Sequence, residues 1–479
     1  MIQLDLMILV PAAAAVLCAL LGGLSSKLPR WIALAAVLGQ GALFASLGSA
    51  GALRGLRVSG STLPAAAHWH VLTDGLSTPL VLLTVFIGFI AVVASWNIAE
   101  RTGAYFGLLM ALQAAVTGVF LADNILLFYV AWESVLIPMF FLIGGWGSSN
   151  RKHAASKFLI YTFGAGAVML FGVILAFVAG GSQNISQMSL AQSAPVIRQL
   201  MFWLMMVGFL VKLPVVPVHT WLPDAHTEAP TAGSIVLAGV MLKMGGYGIM
   251  RLAMPLAPDA FAEARLALAI LGIVGIVYGA AMALTQTDLK RLVAYSSVSH
   301  MGFVVLAIAV ATPNALGAAL IAMVSHGFVA GLLFLLVGSL YDRAHTRELS
   351  RFGGLGKVMP VWGVAFTFGA LASLGLPGLS GFPGEFVAML ESYGAFGAWT
   401  AVITVGLVLG AAYNLRAVRS AVTGPVGQFD SLPDLSGREI GLAGLFTVAI
   451  VAVGVQPMLI LSIAGQAMRS LAHIVGGGA

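Results

Sequence analysis

The sequence predicts an all-α polytopic membrane protein of about fourteen transmembrane helices, with two inverted repeats of five helices and breaks in helices 7 and 12. Three observations predict this class. Only 8% of the 479 residues are Asp, Glu, Lys or Arg, against about 25% in soluble globular domains. Apolar types make up 60% of the chain. The apolar runs are continuous over the roughly 20 residues needed to cross a hydrocarbon core, without the alternation of a β-barrel strand. So little charge excludes a water-facing globular surface and an intrinsically disordered chain.

The runs lie near residues 3–24, 31–50, 75–97, 103–122, 124–145, 156–180, 198–223, 231–253, 263–285, 291–311, 315–341, 359–393, 396–418 and 440–465. They divide one membrane domain, 1–479, into an N-terminal group of three helices (1–102), a first repeat (103–253), a second repeat (254–420) and a last helix (421–479). The longest connection runs from about 51 to 74. The 58 glycines suit close helix–helix approach in a bilayer. The single cysteine, Cys18, excludes an intramolecular disulfide and a cysteine-ligated metal site. Met1–Leu24 carries Asp5 and no basic residue before its apolar run, so no cleavable signal peptide is expected.

Orientation follows from basic residues in alternate connections. One side holds Lys27, Arg30, Arg101, Arg151, Lys152, Lys290, Arg291, Arg343, Arg347 and Arg438 among others; the opposite side holds Arg54, Arg57, Arg198, Arg251, Arg265 and Arg469. The richer side is expected in the cytoplasm, and an even helix count puts both termini outside. The net charge of +6 is therefore a topology signal and not a nucleic-acid footprint.

Against this background six ionisable residues stand out. Glu133 is alone at the middle of the fifth run, Lys212 ends the apolar part of the seventh, and Lys243 interrupts the eighth. His300 lies inside the tenth, His326 is alone in the eleventh, and Glu385 sits in the twelfth. A charge at the bilayer centre costs about 2.5–3.5 kcal/mol on insertion scales. Inert ion pairs would explain one or two such groups; six of alternating acid, amine and imidazole type fit a proton relay. Burial pulls a lysine toward its neutral form and a nearby carboxylate pushes it back, so a lysine with a movable acidic partner is a switch. Glu133 and Lys212 are the candidate pair.

Two runs carry breakers. Pro214 and Pro217 follow Lys212 in the seventh, and Pro377, Gly381 and Pro383 precede Glu385 in the twelfth. Proline removes a backbone donor and disfavours helix at the residue before it. Unwound backbone at membrane depth is tolerated only where protein or a water-lined cavity satisfies it, and matching breaks in two halves point to a transport path. No phosphate loop, nicotinamide fingerprint or zinc motif is present; His68 and His70 in the long connection, and His219 and His226 around Trp221, form no metal pattern, so no metal or cofactor is expected in this chain. Asp224, His226 and Glu228 have two readings of equal weight, as caps and turns or as proton collectors.

The strings FYVAWESVLIPMFFLIGGWG (128–147), VKLPVVPVHTWLPDAHTEAPTAGSIVLAGVMLKMGGYG (211–248), QTDLKRLVAYSSVSHMGF (286–303) and SHGFVAGLLF (325–334) resemble the antiporter-like membrane subunits of respiratory complex I, the proton-pumping NADH:quinone oxidoreductase. The resemblance spans the chain. GFPGEF, with glutamate at 385, is similar to the M-type (chain 4) branch, whereas the L and N types and the Mrp cation/proton antiporter subunits carry lysine there. The resemblance implies that Glu133 pairs with Lys212, that Lys243 is the central lysine of helix eight, that His300 and His326 link two half-channels, and that Glu385 leads to the outer side. It also implies L- and N-type neighbours, a peripheral redox arm that holds NADH, FMN, iron–sulfur clusters and quinone, and residence in a bacterial cytoplasmic (inner) membrane with both termini periplasmic. Competing expectations are an Mrp-type antiporter subunit, a membrane-bound hydrogenase subunit, a quinone-binding subunit and a scaffold that moves no ions.

Overall fold

The computed structural model describes residues 2–48, 55, 57–60 and 69–476; Arg54 and His68 lie outside them. Thirteen of the described helices are long and apolar enough to cross a membrane. They are α1 (Ile2–Leu21), α2 (Leu28–Leu47), α3 (Ser77–Ala94), α4 (Thr102–Leu121), α5 (Ile125–Trp146), α6 (Arg151–Ala179) and α7 (Pro195–Lys212), then α9 to α12, α15 and α16. The short α8 (Trp221–Glu228) completes the seventh crossing. Next come α9 (Thr231–Leu256), α10 (Pro258–Thr285), α11 (Leu289–Val310) and α12 (Pro313–Ala344). Two shorter helices, α13 (Pro360–Ser373) and α14 (Gly381–Phe396), form the broken twelfth crossing. α15 (Ile403–Ala421), α16 (Gly437–Val455) and α17 (Met458–Ile474) end the fold. The long connection carries a small antiparallel ribbon, β1 (Val58–Gly60) with β2 (Val71–Thr73).

The last predicted run, 440–465, needs correction. α16 stops at Val455, the chain turns at Gln456–Pro457, and α17 buries Ile460, Ala464, Met468 and Leu471 on one face. That face packs over ends of α3, α9 and α12. A proline cannot continue the α16 hydrogen-bond ladder, which is why one apolar run becomes two helices.

The two repeats are visible in backbone hydrogen bonds. Where α5 begins, Ile125 N–H donates to the Gln183 carbonyl and Ile185 N–H to the Asp123 carbonyl, at 3.0 and 2.6 Å. Where α11 begins, Leu289 N–H donates to the Arg347 carbonyl and Leu349 N–H to the Thr287 carbonyl, at 2.9 and 2.8 Å. Each pair ties the start of one helix to the segment after the next helix. The side chains repeat too: Asn124 accepts from the N–H groups of Leu126 and Leu127, and Asp288 from those of Lys290 and Arg291. These caps satisfy donors that a helix start otherwise leaves unpaired. Five crossings separate the two clasps, so they lie on opposite faces, as inverted repeats require.

The helices nearest the centre are α9, α11 and α12. In α12 every residue of its most apolar 18-residue stretch is buried, and in α9 and α11 94% are. Lipid-facing side chains such as Ile160, Phe163 and Phe171 belong to peripheral helices. Glycine sets one decisive spacing: a Cβ on Gly302 would come within 2.6 Å of the Gly272 carbonyl oxygen, so only glycine lets α10 and α11 approach this closely.

Candidate functional site

Three of the six singled-out groups sit near the midpoints of the three most buried helices, Lys243 in α9, His300 in α11 and His326 in α12. They are joined. Lys243 Nζ lies 2.7 Å from His326 Nδ1, and the His326 and His300 ring centroids are 5.8 Å apart. His300 Nδ1 is 2.6 Å from Glu385 Oε1, and its Nε2 is 3.2 Å from Ser373 Oγ. Tyr413 OH reaches the same Nε2 at 3.5 Å, and Asn414 donates to Ser373. An ammonium that donates to Nδ1 requires a free lone pair there, so His326 carries its proton on Nε2 while Lys243 is charged. Between the two imidazoles a cavity of about 20 Å³ of water-centre space is lined by Ser296, His300, Ser325, His326, Ser373 and Glu385. That is room for about one water among several polar groups.

The local backbone of α9 explains how a lysine is held here. Lys243 lies between two π-helical turns, Leu237–Met241 and Ile249–Ala253. A π-turn shifts carbonyls out of the regular ladder, and Lys243 Nζ donates to the Ala238 carbonyl within the first.

The break in the twelfth crossing is confined to 374–380. Gly375 and Gly378 have φ of 78° and 92°, a region L side chains rarely adopt. Pro377 lies in that turn; Gly381 and Pro383 fall in the first turn of α14, where a missing N–H costs nothing. The expectation that all three unwind the helix is thus corrected to Pro377 alone. Gly381 has a different task, since a Cβ there would meet the Ala372 carbonyl at 2.5 Å. The turn delivers Glu385 to His300. In the seventh crossing, Pro214 and Pro217 both lie in the non-helical link between α7 and α8, where the Val216–Pro217 bond is cis.

The first-half pair is placed differently from the expectation. Glu133 and Lys212 form no ion pair: neither Glu133 oxygen and not Lys212 Nζ has a hydrogen-bond partner among the described residues. Lys212 Nζ lies over the Trp132 ring, 5.1 Å from its centroid, while the Glu133 carboxylate rests against Gly166 of α6. Trp132 stacks on Phe128 and meets Phe209 of α7 edge-on, with 5.4 Å between ring centroids.

The two readings of the 219–230 stretch divide by residue. Asp224 is bridged by Lys157 at 2.6 Å and Arg291 at 3.0 Å. Glu228 accepts from the Asn150 N–H through its carboxylate and from the Ser148 N–H through its carbonyl. Both are structural ties. His226 is different: it is fully buried, stacked on Phe334 at 4.6 Å, with no hydrogen-bond partner for either ring nitrogen among the described residues. The ring nitrogens of His219 and the Nε2 atom of His326 likewise meet no hydrogen-bond geometry among the described residues. Buried polar atoms are normally hydrogen-bonded, and Lys212, His219, His226 and His326 all carry such atoms without a hydrogen-bond partner among the described residues.

Several functional candidates escape sequence reading. Lys290 looks like a loop charge, yet it is buried and donates to the Ala229 carbonyl. It forms part of a vestibule of about 530 Å³ that also includes Asp342, His345, Arg347 and Glu439. Ser373, Tyr413 and Asn414 carry no signal, since hydroxyl and amide side chains are ordinary in membrane helices. Among the described residues no group of three His, Cys, Asp or Glu is placed to hold a metal ion.

Fold and site together define a polytopic, antiporter-like membrane protein. Residues 122–410 match the family model described as NADH:quinone oxidoreductase/Mrp antiporter, TM, and the chain belongs to that family, in its M-type (chain 4) branch. It is 39% identical to NADH-quinone oxidoreductase subunit M of Pseudomonas aeruginosa, over 98% of this chain and 97% of that one. A chain in the structure of respiratory complex I from Thermus thermophilus superposes with a TM-score of 0.88 at 30% identity, covering 99% and 100% of the two chains. A chain of the Mrp complex from Dietzia gives 0.84 at 21% identity and full coverage of both, a likeness of fold.

Proposed function

We propose that this chain is a proton-translocating membrane subunit of a respiratory NADH:quinone oxidoreductase. The observation that carries the reading is the line Lys243–His326–His300–Glu385, in which each group lies within hydrogen-bond or single-water reach of the next. Lys243 passes a proton to His326 Nδ1, His326 Nε2 releases one toward His300 across the small cavity, and the Nδ1 proton of His300 goes to Glu385. Glu133 and Lys212 act upstream. A carboxylate that approaches Lys212 favours the ammonium, and one that withdraws favours release. NADH, FMN, iron–sulfur clusters and quinone belong to partner subunits, with L- and N-type subunits on either side and a peripheral redox arm supplying the driving force. The chain resides in a bacterial cytoplasmic membrane with both termini on the periplasmic side, an orientation that the basic-residue asymmetry supports. The helices divide as 1–102, 103–253, 254–420 and 421–479, the two middle stretches being the inverted repeats.

The test is Glu133→Ala or Lys212→Ala in the assembled complex. Proton pumping and coupled quinone reduction should fall severalfold with assembly intact; full pumping in both variants removes the switch. An Mrp-type antiporter would instead show sodium-dependent proton movement without a redox substrate, and a scaffold would tolerate loss of Lys243.

A further inference from the structure

Gly166 and Glu133 share one volume. The Glu133 Oε1 atom occupies the place where a Cβ on Gly166 would sit, and Glu133 Cδ lies 2.8 Å from that position. Two residues of α5 one turn apart face this point of α6: Tyr129 OH donates to the Gly166 carbonyl at 3.4 Å, and the Glu133 carboxylate lies beside it. On the other side Lys212 Nζ is directed over Trp132, with no hydrogen-bonded carboxylate among the described residues. The carboxyl group thus lies against α6, in a recess that is open because residue 166 has no side chain.

The geometry points to Gly166 as a positioning residue for the proton switch: it is the seat that receives the Glu133 carboxyl group when that group parts from Lys212. This rests on the relay reading above and adds to it a residue from a third helix. Glycine is required where another group must approach the backbone this closely. Any side chain at 166 would fill the recess and confine Glu133 to the Lys212 side, holding the lysine in its ammonium form. Gly166 itself exchanges no proton. Its effect is on the distance over which the carboxyl can travel.

Gly166→Ala and Glu133→Asp, alone and combined, test this in the assembled complex in sealed vesicles, with protons moved per NADH oxidised as the readout. Gly166→Ala should lower that ratio and slow pumping about fivefold or more. Aspartate is one methylene shorter, so Gly166→Ala/Glu133→Asp frees the overlap and should recover at least half of the pumping of Glu133→Asp alone. A packing role for Gly166 would give no such rescue. Wild-type pumping in Gly166→Ala overturns the seat, as does a double variant no better than Gly166→Ala. If Gly166→Ala alone fails to assemble, the double variant must assemble, and its failure also overturns the seat. Glu133→Gln separates this from the underlying reading. Full pumping in Glu133→Gln removes the relay reading, whereas defective Glu133→Gln beside normal Gly166→Ala removes only the seat.

Discussion

At the scale of single residues, the proposed relay rests on the Lys243–His326 contact. A lysine at this depth is costly, and here its hydrogen-bond partners are a π-turn carbonyl and an imidazole nitrogen. An inert ion pair would place a carboxylate opposite it. An imidazole accepts and releases protons near neutrality, which suits the contact to the proposed transfer step. Ser373 holds His300 Nε2 at the far end. Ser373→Ala should leave the His300–Glu385 contact in place and slow pumping only about two- to tenfold, measured against NADH oxidation in vesicles; a complete loss would mean that Ser373 itself carries the proton. The ionisable members of this line were legible in the sequence because each interrupts an apolar run. Lys290 was not, since a basic residue near a helix start reads as topology. Ser373, Tyr413 and Asn414 were not, because their role depends on which helices face each other.

At the scale of elements, boundaries and breaks follow from local chemistry. Asn124 at the start of α5 and Asp288 at the start of α11 are matching caps, and replacing Asn124 by Ala should cost about 1 kcal/mol, read as a lower midpoint of thermal unfolding in detergent. Asp74, just before α3, receives Arg251 of α9 in a two-bond contact at 2.8 and 2.6 Å. Burial alone would raise this carboxyl group, but the Arg251 guanidinium outweighs it and holds it at about 2, against 3.8 for a free Asp. A depressed carboxylate contributes stability above its unfolded pKa and loses it as pH falls through the folded one. The contact should therefore hold at pH 5 and weaken between about pH 4 and pH 2, while Asp74→Asn removes that part of the acid sensitivity; an unchanged acid unfolding curve would contradict it. The proline and glycine content announced both breaks, but the π-turns around Lys243 were invisible, since one extra residue in a turn leaves an all-apolar run unchanged. The division at Gln456–Pro457 was missed because hydropathy continues across it.

At the scale of the whole molecule, the inverted repeats put one broken crossing in each half, and the central helices α9, α11 and α12 bridge them. The vestibule at Lys290 and Asp342 lies on the side richest in arginine, which the orientation proposed above places in the cytoplasm. Periplasmic reporters fused to either terminus should be active and cytoplasmic reporters silent; the reverse pattern would invert the proposed direction of transport. The fold class was legible because a bilayer demands continuous apolar helices, while the missing Glu133–Lys212 ion pair was not, because the direction of a side chain depends on which helices face it. The most direct measurement of the central claim is proton translocation per NADH oxidised, in sealed vesicles that contain the assembled complex with Lys243→Met. The relay account predicts at least a tenfold loss of pumping with the subunit still assembled. Pumping at the wild-type ratio and rate would contradict it.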